Sequence, residues 1–184
     1  MKLEILINKI EKSSTIKKSK SLASTYVEGT NLGEIRKELK KYLDYKQLIN
    51  KNKIDIGFNI GFNNPNRDFE KLNEKMARNQ AYQDRVVEIY VTLKKIYNRL
   101  EYIFDNAKGF IYLEYDALMS SMTREAKDYL MKRVFEKELE FMSDLDATLE
   151  SVNLVLRNLN NTSWMLQNLR ESGEGIVARK GTVH

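Results

Sequence analysis

Two long apolar stripes dominate the chain. Val86, Tyr90, Leu93, Tyr97, Leu100, Phe104, Ala107 and Ile111 recur at alternating spacings of four and three residues. Ile89, Ile96, Ile103 and Phe110 widen the same face. Three apolar positions per heptad suit a bundle rather than a narrow two-stranded seam. This predicts one helix over 67–118. A second stripe runs through Met131, Val134, Phe135, Phe141, Met142, Leu145, Leu149, Val152, Val155, Leu156, Leu159, Leu166 and Leu169, and predicts a helix over 124–171. Between them lies Met119–Thr123 (MSSMT), a short polar break in which Thr123 caps the next helix and Glu125 sits in its first turn. Two amphipathic helices joined by so short a turn pack as an antiparallel hairpin. Arg170 followed by Gly173 reads as the end of the second helix.

The remainder is organised around this hairpin. Residues 2–12 carry Leu3, Ile7 and Ile10 on one helical face. Ser13–Thr25 (SSTIKKSKSLAST) is polar and reads as a linker or mobile basic arm. Thr30 or Asn31 caps a helix over 32–51, with Leu32, Ile35, Leu39, Tyr42 and Ile49 opposite Arg36, Lys37, Lys40, Lys41 and Lys51. At 54–62 (IDIGFNIGF) the period changes to strict alternation of Ile54, Ile56, Phe58, Ile60 and Phe62, which predicts an extended segment with no partner strand in the chain. The expected fold is all-α: a long antiparallel helical hairpin or bundle with N-terminal helices and a short extended segment near 54–62. The expected divisions are a basic N-terminal helical arm 1–53, a Gly/Phe/Asn linker 54–66, a hairpin core 67–172 and a flexible C-terminal tail 173–184.

Composition narrows the chemistry. The 184 residues include no cysteine, one histidine (His184, the last residue) and one proline. Thiolate catalysis, cysteine zinc sites, Ser-His-Asp triads and Glu-x-x-His metal sites have no donors here. Asp144 and Asp146 lie two apart on a helix and point in different directions. No phosphate-cradling glycine motif occurs. The expectation is a non-enzymatic protein with no metal and no cofactor. The first twelve residues mix charge into every turn, unlike a signal peptide, and no apolar run approaches membrane-spanning length. That predicts a soluble, cytoplasmic protein with no membrane partner.

Charge layout supplies the functional expectation. Residues 1–53 hold 13 Lys+Arg against 6 Asp+Glu, a net of +7, whereas the whole chain is only +5. Twelve of those thirteen cations are lysines, flexible point charges suited to backbone phosphates rather than base edges. Lys17, Lys18, Lys20, Arg36, Lys37, Lys40 and Lys41 are the candidate nucleic-acid contacts, and a solvated lysine face is the alternative for each. Phe58, Ile60, Phe62, Trp164, Leu166 and Leu169 are the candidate oligomer interface, because stripes three positions wide exceed what two helices cover on each other. A homo-oligomer is therefore expected.

Residues 78–171 resemble the phage UvsY-type recombination mediators. The resemblance runs from Tyr82 through Tyr115 as the first helix, Met122-Thr123-Arg124 as the break, and Leu149–Arg170 (LESVNLVLRNLNNTSWMLQNLR) as the terminal helix, about half the chain. It implies a ring-forming, mostly helical protein that binds single-stranded DNA and helps load a RecA-like recombinase. Lys108–Asp116 (KGFIYLEYD) lacks the basic patch that the resemblance places there, so DNA contact would move to the N-terminal third. The other expectation is a structural virion or assembly protein whose ribbon and arms tie neighbouring subunits together.

Overall fold

A computed structural model describes residues 3–42 and 65–181 of the chain. The ribbon at 54–62, with Phe58, Ile60 and Phe62, lies outside the described residues. Among those described, seven helices and their short connections account for everything, with no strand. They are α1 (Leu3–Lys12), α2 (Ser14–Gly29), α3 (32–42), α4 (Pro65–Glu114), α5 (Asp116–Met119), α6 (Arg124–Val134) and α7 (Glu136–Gly181). The two long helices, 50 and 46 residues, pack together as the antiparallel hairpin that the stripes predict. They are shared between two compact units: Met1–Leu32 with Thr92–Leu149, and Gly33–Val91 with Glu150–His184.

The first unit holds a core of Leu6 and Ile10 from α1, Ile16 from α2, Ala107 and Ile111 from α4, and Leu130, Met131 and Val134 from α6. Residues 13–25, expected as a linker, are helical instead. Ile16 and Ala23 are buried, and their seven-residue spacing puts both on the inner face of α2. Packing of that face outweighs the weak helix propensity of the Ser/Lys composition. The hairpin turn carries two aromatic kinks. Tyr115 sits at φ −117°, ψ 27° and Phe135 at φ −119°, ψ 33°, both outside helical values. Their flanking backbone bonds persist, with Phe135 N–H donating to Met131 O at 3.0 Å and Leu139 N–H to Phe135 O at 2.9 Å. Each kink turns a large ring inward: Phe135 is 2% exposed and meets Phe104 edge-on at 5.3 Å between centroids. The single helix expected over 124–171 is therefore α6 and α7 in succession. Thr123 caps α6 as its sequence suggests, its hydroxyl accepting from Ala126 N–H at 3.3 Å. Glu125, hydrogen-bonded to its own backbone and to the Thr123 side chain, has its carboxyl held below the usual range.

The second unit is formed by α3 from Gly33, α4 up to Val91 and α7 from Glu150. Leu72, Val86 and Ile89 of α4 and Val152, Val155, Leu159 and Leu166 of α7 are buried. One polar layer interrupts them. Asn79, fully buried, donates through Nδ2 to Leu159 O at 3.1 Å and Ser163 Oγ at 2.7 Å, while its Oδ1 has no partner among the described residues. Gln83 donates to Ser163 Oγ at 3.1 Å and Asn160 Oδ1 at 3.0 Å. The helix does not stop at Gly173, and residues 173–181 are the end of α7 rather than a flexible tail. Gly173 is buried and falls seven residues after Leu166 and fourteen after Leu159, so it continues the inner stripe. Arg170, expected as a last-turn cation, instead pairs with Glu174 one turn on, at 3.0 Å.

Candidate nucleic-acid interface

Helix α3 is amphipathic in a way that separates docking from display. Leu39, 2% exposed, is buried on one side of it. Glu38 on the same side receives a two-pronged contact from Arg85 of α4, Nε to Oε1 at 2.8 Å and Nη2 to Oε2 at 3.3 Å. Tyr42 completes the seam, edge-on to Tyr82 at 5.1 Å and donating its hydroxyl to Glu38 Oε1 at 3.1 Å. The Arg85 guanidinium holds the Glu38 carboxyl below the usual carboxylate range, and Glu38 in turn raises the Arg85 pKa. Burial raises the Tyr42 phenol, with Glu38 adding to the shift.

The other side of α3 carries Arg36, Lys37, Lys40 and Lys41, all exposed. Positions 36 and 40, and 37 and 41, stack one turn apart, so the four charges share a face. The structure thus brings together four of the seven candidate contacts. It holds the other three in the first unit on α2. Lys17 and Lys18 are exposed there. Lys20 is occupied: its ammonium lies 3.0 Å from Glu11 Oε1 of α1 and 5.9 Å from the Phe135 ring centroid. It clamps α1 to α2 over the core, which makes it the weakest of the seven as a phosphate ligand.

A second cationic group went unnoticed in the sequence. Lys71, Lys75 and Arg78 are spaced four and three apart on α4 and continue the stripe that reaches Tyr82 and Arg85, the residues that dock α3. Partial burial lowers the Lys75 pKa, and the like charges of Lys71 and Arg78 lower it further. The signal was their helical spacing. Net charge does not reveal it, because Glu70 and Glu74 offset it in a sum, and Glu74 lies one turn from both Lys71 and Arg78.

The apolar candidates divide. Trp164 is 65% exposed, whereas Leu166 is buried at 5% and Leu169 is half-buried. Leu166 therefore belongs to the intrachain core and not to an oligomer interface: it points along the Leu159 stripe, and Trp164 points away from it. A shallow open depression along α4, lined by Phe69, Glu70, Asn73, Glu74 and Ala77, gathers no set of groups suited to catalysis. No described helix is long and apolar enough to cross a membrane. Comparison of the chain with protein families, with curated proteins and with solved structures returns no match.

Proposed function

We propose that this protein is a non-enzymatic accessory factor that binds single-stranded DNA through its phosphates and works as an oligomer, in the manner of the phage recombination mediators it resembles. The observation that carries the reading is α3, whose docked side is fixed by Glu38, Leu39 and Tyr42 while Arg36, Lys37, Lys40 and Lys41 stand out on the other. A helix held in this way presents its charges without having to order them on binding, which lowers the entropic cost of contact. Three of the four are lysines, which fits contact to backbone phosphate without base selection. Lys71, Lys75 and Arg78 extend the positive surface on the same unit.

Fluorescence anisotropy of a labelled single strand of about thirty nucleotides at low salt tests this reading, because phosphate contact must give binding that weakens steeply as salt rises. The second reading, a structural role in a phage virion, is favoured by exposed Trp164 on a long helix. A large assembly with no affinity for the oligonucleotide would select it.

A further inference from the structure

The second unit carries a surface of a different kind from α3. Met76, Gln80, Gln83 and Val87 follow one another at helical spacing along α4, and Gln80 and Val87 are exposed. Asn153, Arg157, Asn160, Trp164 and Gln167 do the same along α7, all five exposed. The Gln83–Asn160 hydrogen bond of 3.0 Å joins the two rows side by side. Of these nine residues only Arg157, at the outer edge of its row, is charged, in a chain whose residues are 31% charged. Residues 151–170 of α7 contain no Asp or Glu at all. Scarcity of charge around an exposed tryptophan and a half-buried methionine is the composition of an interface centre rather than of a solvated face.

We propose that this face binds a second copy of the same chain, as a two-fold dimer in which α4 lies over the partner's α7. Amide side chains both donate and accept, so a patch of Asn and Gln meets its own copy without repulsion. The rim selects the orientation. Asp84 borders the α4 row, where its carboxylate accepts from Gln80 at 2.9 Å, and Arg157 borders the α7 row. Asp84 is one residue past Gln83 and Arg157 three before Asn160. With a rise of about 1.5 Å per residue, the two charges stand within roughly 3 Å of the same level, on opposite edges of the face. A two-fold axis across the helices would set each charge near its own copy. An axis parallel to the helices sets Asp84 against the partner subunit's Arg157, twice over. The same operation lays the Trp164 indole over the partner subunit's Met76 and Gln80. The α3 cations take no part, so the dimer and the DNA reading stand or fall separately.

Sedimentation equilibrium of the full chain without DNA, from about 1 to about 100 µM, covers the range expected of a modest interface. The expected result is a monomer–dimer equilibrium. The emission of Trp164, the single tryptophan, moves to shorter wavelength as the dimer forms. Trp164→Ala raises Kd about thirty-fold, the size of a central anchor. Asp84→Arg and Arg157→Asp alone each raise it about three-fold or more, and the double exchange restores it to within about two-fold of the native value. Gln167→Arg, which places a charge on an exposed side chain, weakens the dimer without touching the core. A monomer throughout the range overturns the proposal. So does a double exchange no better than either single change, or a Trp164 emission shift that appears only on adding oligonucleotide, which would give the face to nucleic acid.

Discussion

Asn79 gives the account its sharpest energetic test. It is fully buried, yet Asn79→Ala is expected to leave stability within about 1 kcal/mol of the native protein. Two hydrogen bonds are lost, at about 1 kcal/mol each net. Their partners are not abandoned. Leu159 O lies within α7, where the helical ladder also calls on it, and Ser163 Oγ still receives Gln83 Nε2 at 3.1 Å. Against the loss stands the Oδ1 atom, buried without a partner among the described residues, whose desolvation costs about 1–3 kcal/mol. Alanine is also the better helix former, by up to about 0.7 kcal/mol. The opposing quantities are nearly equal. Leu159→Ala, in the same layer at 3% exposure, has no such offset and should cost about 2–5 kcal/mol. Urea unfolding followed by circular dichroism, with the m-value compared across variants, measures both. An Asn79→Ala loss above about 3 kcal/mol would refute the reasoning, since it would mean that Oδ1 is well satisfied in solution.

Three other outcomes follow from the described contacts. Phe135→Ala should destabilise the first unit by about 3–5 kcal/mol in the same unfolding assay, because it empties the ring site that Phe104 and Lys20 enclose. Thr123→Ala should cost about 1 kcal/mol through the lost cap of α6, and Thr123→Ser should restore most of it. The α3 seam should weaken in acid. Glu38 has a lowered folded-state pKa, so its contribution is present above the unfolded carboxylate value and is lost as pH falls through the folded one. The protection factors of α3 amides should fall as pH drops below the unfolded carboxylate range in the native chain, and much less in Glu38→Gln, where that carboxyl is absent.

The long helices were legible because a bundle helix must repeat apolar residues at three and four, and Val86–Ile111 and Leu145–Leu159 do so without a proline between them. Thr123 was legible because a cap acts through its own turn. What escaped depends on contacts distant in sequence or on sums that mix faces. Ile16 and Ala23 are too few to mark a helix until α1 and α6 pack against it. Gly173 looks like a terminator until its place in the Leu159–Leu166 stripe is seen. Tyr115 and Phe135 keep the apolar pattern while bending the chain, so periodicity passes over them. At the candidate site, the α3 face was readable from the spacing of 36, 37, 40 and 41. The pairing of Lys20 with Glu11 was not, because it requires the turn at Ser13. Lys71, Lys75 and Arg78 are masked in sequence by Glu70 and Glu74 among them.

The salt dependence of single-strand binding tests the central claim most directly. With four α3 cations on phosphates, log K should fall against log salt with a slope of about −3, at roughly 0.7 per phosphate. Lys37→Gln, Lys40→Gln and Lys41→Gln together should reduce that slope by about two units and leave the circular dichroism unchanged, since all three side chains are exposed. Lys20→Gln should leave the slope nearly as it was, because that ammonium is held by Glu11. A slope unaltered by the triple change, or no binding at low salt, would contradict the account.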